Sequence, residues 1–152
     1  MAENPMTDKE FKTLRRFIKP YSALNSLFYK LSGGRLMGKF QGRSVMLVTM
    51  KGAKTGKDRT IPLMHVPYGE GVIVVGSQGG APKSPVWVKN LVADPNVLVQ
   101  CGSKKMRLRA RQVDDAEKAR IWPICVEHYP AYGDYQKRTD RNIPVFDCQP
   151  AG

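Results

Sequence analysis

The chain lacks most of the features that advertise a function. Its 152 residues hold no run of 18 or more apolar residues and no apolar signal-peptide core near the start, so a soluble, cytoplasmic protein is expected. Histidine is confined to His65 and His128. The three cysteines, Cys101, Cys125 and Cys148, stand over twenty residues apart with no CxxC or metal-ligand spacing. Buried free thiols are therefore expected, and no metal site. Acidic residues are also short: 13 Asp and Glu face 25 Lys and Arg, a net charge of +12. One domain of this size buries roughly 70% of its extended-chain surface without disulfide staples.

The basic surplus is unevenly placed. Residues 35–59 carry seven Lys/Arg against Asp58 alone, and residues 83–111 carry seven against Asp94 alone; these two windows hold the whole excess. Cations so gathered imply a polyanionic partner: nucleic acid, anionic lipid or a multiply charged small ligand. The stretch GAKTGKD (52–58) suggests a phosphate cradle, but it is not a Walker A loop. Only Ala53, Lys54 and Thr55 separate Gly52 from Gly56, and Asp58 stands where a hydroxyl must reach the metal. RTIPLMHV (59–66), with Pro62 and β-branched residues, cannot open the required helix. From its residues alone GAKTGKD reads as an exposed hairpin tip.

Phe11, Leu14, Phe17 and Ile18 recur at helical spacing behind a Thr7–Glu10 capping box. Pro20 ends or kinks that helix, and a second apolar series (Tyr21, Leu24, Leu27, Phe28, Leu31) runs to Gly33-Gly34. Lys9, Lys12, Arg15, Arg16 and Lys19 line the first helix, which either packs on the domain or lies on an anionic membrane surface. After residue 44 the period falls to two. VMLVTM (45–50), RTIPLMHV (59–66), VIVVGS (72–77), NVLVQC (96–101) and KMRLRARQV (105–113) read as strands, with YGEG (68–71) a hairpin turn. QGGAPKSP forms a loop, followed by a short helix PVWVKNLVA with Ser84 as cap and Pro85 at its first position. On the fifth strand Lys105, Arg107, Arg109 and Arg111 alternate with Met106, Leu108 and Ala110, giving one cationic and one buried face. DDAEKARIWPICVEHY is the last helix, its acidic start suiting the positive end. The order predicts an α+β fold, an antiparallel barrel with helical cover. Residues 1–34 form a helical segment, and residues 35–152 a barrel domain whose ligand lies between barrel and helices or at a subunit interface.

Three blocks carry a resemblance: GAKTGKDRTIPL (52–63), SQGGAPKSPVWVKNL (77–91) and WPICVEHYPAYGDYQKRTDRNIPVFDCQP (122–150). Together, from about residue 37 onward with order and spacing kept, they resemble the deazaflavin-dependent nitroreductase family. Its members are split β-barrel proteins that bind reduced coenzyme F420, a hydride carrier whose tail bears a phosphodiester and several glutamate carboxylates. The resemblance implies that Lys54, Thr55, Gly56 and Arg59 hold the phosphate or tail, Arg59 by a bidentate contact and Lys54 as a point charge. It implies that Pro62, Leu63 and Met64 lie along the deazaflavin ring and that Ser77, Gln78, Gly79 and Gly80 approach the cofactor closely. Pro85, Val86 and Trp87 open a helix whose N–H groups suit an anion. Tyr129, Tyr132 and Tyr135, with Met64, are implied to line the acceptor pocket. Pro130 and Gly133 interrupt the tyrosine spacing, which favours a helix end or loop presenting the rings over a cleft.

The implied chemistry is hydride transfer to the conjugated carbon of an enone, unsaturated lactone or coumarin, or to a quinone. Ser77, Tyr132, Tyr135 or a water would bond the carbonyl oxygen and help protonation. Two departures narrow this. Met64 stands where nitroimidazole-active members carry a tyrosine, and Gln78 replaces a lysine of the cofactor loop. Both weigh against efficient nitroreduction, so a small-molecule electron acceptor of the carbonyl or quinone type is the expected partner. His65 and His128 are expected to be structural. Two alternatives stay open: an FMN-dependent oxidoreductase of the same fold, and a basic nucleic-acid-binding barrel. KMRLRARQV lacks the interleaved exposed aromatics that would stack on bases, which argues against the second. The residues do not reveal an oligomeric state.

Overall fold

The computed structural model describes residues 2–32, 39–40 and 43–151. It opens with α1 (Asp8–Ser32), started by the expected capping box. Glu10 Oε2 accepts from the Thr7 N–H at 2.7 Å, and Thr7 Oγ1 accepts from the Glu10 N–H at 3.2 Å. The expected end or kink at Pro20 does not divide the element, since α1 runs through it as one helix of 25 residues. Packing of its second half outweighs the missing N–H. Tyr29 is 1% exposed; its hydroxyl accepts from the Gly102 N–H at 2.6 Å and donates to the Gln100 carbonyl at 3.3 Å. The Gly33-Gly34 stop and the boundary after residue 34 lie outside the described residues.

The strands are all antiparallel. They are β1 (Lys39–Phe40), β2 (Arg43–Lys51), β3 (Asp58–Met64), β4 (Val66–Tyr68), β5 (Gly71–Val75), β6 (Asn96–Cys101), β7 (Lys104–Gln112) and β8 (Val145–Gln149). The sheet order is β1-β2-β6-β7-β8-β5-β4, with β3 paired to β2 alone. The α+β arrangement is as expected, with two differences. RTIPLMHV is divided at His65, whose N–H bonds Ser44, into β3 and β4. VFDCQ forms a strand, β8, not foreseen, and it joins β7 to β5. Three further helices follow the strands that precede them: α2 (Val86–Ala93), α3 (Asp115–His128) and α4 (Ala131–Lys137). Asp114 caps α3 by accepting from the Glu117 N–H at 2.8 Å. Ser84 does not cap α2, since Pro85 occupies that position without a side-chain bond.

Two cores share β5. Val72 and Val74 face a cluster of sheet residues with Leu91 of α2 and Phe146. Ile73 and Val75 face a second cluster with Ile121 and Cys125 of α3 and Tyr132 of α4. Burial on both faces explains why the strand reads as an unbroken apolar run rather than an alternation. Of the expected buried thiols, Cys125 and Cys148 are buried and Cys101 is half-buried; none forms a disulfide.

A side chain at Gly71 would overlap the Cys148 carbonyl across the β5–β8 ladder, whereas the space around Gly102 is open and only its φ of +62 resists substitution. Gly71→Ala should therefore cost at least about 1–3 kcal/mol, as overpacking does. Gly102→Ala should cost roughly 1 kcal/mol of backbone strain. Urea denaturation midpoints for both variants check this; a Gly71→Ala midpoint equal to that of the wild type would contradict the β5–β8 pairing.

Candidate active site

The β2–β3 hairpin carries the first set of candidate residues. Its turn is closed by Gly52 N–H donating to the Lys57 carbonyl and Gly56 N–H to the Gly52 carbonyl, both at 2.8 Å. Thr55 Oγ1 accepts from the Lys57 N–H at 3.2 Å. Gly56 has φ +68 and open space around it. Lys51 pairs with Asp58 at 2.6 Å. Among the described residues no carboxylate lies within ion-pair reach of Lys54, Lys57 or Arg59, and all three are exposed. The tip is not loose. Asn90, 7% exposed on α2, accepts from the Ala53 N–H through Oδ1 at 2.9 Å, fixing the turn to the helix that also carries Trp87. Asn90 was not among the residues singled out from the sequence; a polar side chain in the apolar helix PVWVKNLVA is the signal that could have found it.

The other implied cofactor residues are divided by strand geometry. Consecutive residues of a strand face opposite sides, so Pro62, Leu63 and Met64 cannot all offer side chains to one ring. Leu63 packs on the first core and Met64 on the second. What the strand can offer is its backbone edge, because among the described residues β3 pairs only with β2. Trp87 is half-buried over the first core, its ring centroid 6.2 Å from Phe146. Val86 stands out at 69% exposed, and Pro85 is buried.

Ser77, Gln78, Gly79 and Gly80 leave β5 as a tight turn lying between the two helical elements. A Cβ on Gly76 would meet Val88 of α2 at 2.9 Å, and one on Gly80 would meet the Tyr135 carbonyl of α4 at 2.6 Å. Gln78, Gly79 and Gly80 all have positive φ (44, 63 and 78). Arg141 holds this loop by its backbone, a residue the sequence reading passed over. Its guanidinium donates to the carbonyls of Gly76 (3.1 Å), Ser77 (2.8 Å) and Ala81 (3.0 Å) and to Ser84 Oγ (3.2 Å). Burial pulls the Arg141 guanidinium below its usual range.

The tyrosines form a cluster of another kind than expected. Tyr129 and Tyr132 are each 4% exposed and belong to the second core, so they do not stand over an open cleft. Tyr132 sits in α4 edge-on to Tyr129 at 5.0 Å, and Tyr129 and Tyr135 are joined hydroxyl to hydroxyl at 2.9 Å. Pro130 does interrupt the spacing, standing between α3 and α4 as the residue before the first turn of α4, whereas Gly133 lies within that helix. Desolvation pushes the phenols of Tyr129 and Tyr132 far above their ordinary range. Only Tyr135 of the three is half-exposed. Met64 joins these rings around the second core. The segment Gly76–Gly80 thus meets α2 at Val88 and α4 at Tyr135, whereas the hairpin is tied to α2 through Asn90 and the tyrosines belong to the second core.

His128 donates through Nδ1 to the Ile124 carbonyl at 3.0 Å. His65 is held toward its neutral form by burial and then by His128. On β7, Lys105, Arg107 and Arg109 are exposed. Arg111 is committed to Glu117 by a bidentate pair at 2.8 and 2.9 Å.

An antiparallel barrel with helical cover, a basic hairpin fixed to a tryptophan-bearing helix and a glycine turn between two cores defines a cofactor-binding split barrel. Residues 22–150 match the family described as F420H(2)-dependent quinone reductase. The chain belongs to this family of oxidoreductases, whose cofactor is coenzyme F420. An F420H(2)-dependent quinone reductase of Mycobacterium tuberculosis is 36% identical over 126 residues, 80% of this chain and 85% of that protein. Among solved structures, an F420-H2 dependent reductase (FDR-A) has 45% identity and a TM-score of 0.63, covering 67% of this chain and 90% of that one. The haem storage protein HutZ of Vibrio cholerae, at 14% identity and a TM-score of 0.52 over 89% of this chain and 91% of that one, shares the fold.

The buried phenols yield a titration prediction. Of the six tyrosines, Tyr29, Tyr129 and Tyr132 are raised by desolvation. Their phenolate absorbance should therefore appear only above the ordinary tyrosine range, as the protein unfolds. Cys125 and Cys148, pushed up to about 12 by burial, act in the same direction. All these groups keep protons that the unfolded chain releases, so stability is intact below about pH 9 and falls above it. Six phenolates in a still-folded protein would contradict this packing.

Proposed function

We propose that the chain passes a hydride from reduced F420 to a quinone or to the conjugated carbon of an enone, unsaturated lactone or coumarin, with nitro compounds poor acceptors. The observation that carries the reading is the Asn90-anchored hairpin with its three cations, which have no carboxylate within ion-pair reach among the described residues. The donor set fits the cofactor: a phosphodiester and successive carboxylates require several positive groups on an open backbone, and Lys54, Arg59 and Gly56 supply them. The bound cofactor would furnish the hydride; the protein need provide little reactive chemistry of its own.

Each residue then has a positioning task. Arg59 and Lys54 would hold phosphate or tail, with Thr55 keeping the turn in shape. The free edge of β3 at Pro62–Met64, Trp87 and Val86 would bound the ring, and Ser77, Gln78, Gly79 and Gly80 would meet its polar rim. Ser77 and Tyr135 remain as hydroxyls able to bond an acceptor oxygen. Tyr132 stands beneath Tyr135 as a packing ring, and Tyr129 bonds it, so both shape the pocket wall from behind. Met64 brings no phenol to that wall, in keeping with weak nitroreduction.

Helix α1 supports a second contact, with a membrane surface. Leu24, Leu27 and Leu31 are 53, 52 and 76% exposed on the second half of the helix, with the exposed Lys30 among them and the exposed Lys9, Lys12, Arg15 and Arg16 on its first half. Apolar side chains flanked by cations suit the interface of anionic lipid. None of the described helices is long and apolar enough to cross a membrane.

Titration with F420 and with FMN, followed by ring fluorescence, tests the main reading. F420 should bind with an affinity that weakens with salt, and FMN should not compete. Arg59→Ala should weaken F420 binding about 10- to 100-fold, the worth of a charge-assisted contact. Failure of the wild type to bind F420 at micromolar levels in dilute buffer would sink the reading. Leu31→Glu should reduce co-sedimentation with anionic vesicles and leave F420 binding unchanged; equal sedimentation would remove the membrane contact.

A further inference from the structure

We infer that Arg141 is a positioning residue for cofactor binding: its guanidinium sets the backbone of Gly76–Ser84 in the shape that receives the ring. The inference rests on the proposed F420 chemistry, but its first part concerns the free protein.

The loop cannot hold this shape unaided. Gln78 is a non-glycine residue at φ +44, followed by Gly79 at +63 and Gly80 at +78. A side chain in the left-handed region costs roughly 1–2 kcal/mol, so such a residue persists only where its surroundings determine it. The loop's own hydrogen bonds are few: Gly80 N–H donates to the Ser77 carbonyl and Ala81 N–H to the Gln78 carbonyl, both at 3.0 Å. Beyond the Gly76 N–H bond to the Pro144 carbonyl at 2.9 Å and the close approach of Gly80 to Tyr135, further constraint comes from Arg141. Nη2 takes Ser77, Nη1 takes Gly76 and Ser84 Oγ, and Nε takes Ala81. One rigid fork therefore fixes acceptors on both sides of the three left-handed residues. A lysine ammonium cannot span them, because its donors radiate from one point.

Arg141 is itself held. Gln136 donates to the Arg141 carbonyl at 2.8 Å, and Lys118 donates to Gln136 at 2.9 Å and to Asn142 at 2.6 Å. The segment after α4 is thereby tied to α3, and the loop after β5 is tied to that segment. With the carbonyls of Gly76, Ser77 and Ala81 drawn to the guanidinium, the loop's orientation relative to α2 and α4 is set before any ligand arrives. Such preorganisation lowers the ordering cost of binding.

The test uses Arg141→Gln and Arg141→Lys in the full chain, with Gly102→Ala as a control destabilised far from the loop. Hydrogen exchange of the free protein should show the Gly80 and Ala81 amides exchanging about tenfold faster in Arg141→Gln, and β7 unchanged. The F420 dissociation constant should rise about tenfold, near the loss of one strong hydrogen-bonded contact, while kcat at saturating cofactor falls by less than about threefold. Arg141→Lys should fold and give a smaller shift in both measurements; Gly102→Ala should move neither. Unchanged loop exchange, or a freed loop with the dissociation constant within about twofold of wild type, overturns the inference. If Arg141→Gln does not fold, the same two outcomes are read on Arg141→Lys. Wild-type protein that takes up no F420 overturns the proposed function instead, and the wild-type titration shows this before any variant is compared.

Discussion

The double burial of β5 governs where ligand-binding parts can stand. Val72 and Val74 serve one core, Ile73 and Val75 the other, and the strand is held between β4 and β8. A chain leaving such a strand must emerge at the seam between the cores. The segment Gly76–Gly80 does so, meeting α2 through Gly76 and α4 through Gly80. At both glycines a side chain would collide with the packed neighbours, and Gly80 also takes a positive φ. The candidate site is consequently a junction, with the basic hairpin reached through α2 and the tyrosines reached through α4.

Charge follows a different logic from packing. The hairpin cations are exposed and contribute little to folding, since unpaired surface charges repel and even paired ones are worth little. Their grouping next to a helix anchored by a buried asparagine is better explained by a ligand than by stability. Arg111 shows the contrast on the same molecule: its bidentate pair with Glu117 and its approach to Asp147 give it a structural use. Lys54, Lys57 and Arg59 have no such carboxylates among the described residues.

The fold was legible in the sequence wherever period and turn chemistry agreed. YGEG formed its hairpin with Gly69 at φ +58, and NVLVQC appeared as β6 with the bounds read for it. Misreadings arose where distant contacts decided. Pro20 predicts an end or kink in the helix but does not end it, because Tyr29 packs the second half of α1 onto the sheet. VFDCQ is short and follows a helical region, so only pairing with β5 and β7 makes it a strand. The site was readable as motifs, not as mechanics. KTG and GG patterns marked a tight hairpin tip and a turn at positive φ, whereas Asn90 and Arg141 act on backbone groups far away in sequence and carry no local pattern. Tyrosine identity suggested a pocket; only the packing of α4 against α3 shows that two of the three rings are core.

The distribution of protons points to the kind of catalyst this scaffold can be. Desolvation raises Cys125, Cys148, Tyr129 and Tyr132 and lowers His65, so each is driven to its neutral form. None is poised near neutral pH by an opposing charge, which is what a general acid or base requires. The charged groups that remain near the junction, Arg141 and the hairpin cations, are hydrogen-bond donors and electrostatic anchors. A protein so equipped does its work by holding two reactants in register and excluding competing reactions. Hydride transfer from a carrier to a polarised carbon is chemistry that such holding suffices to promote.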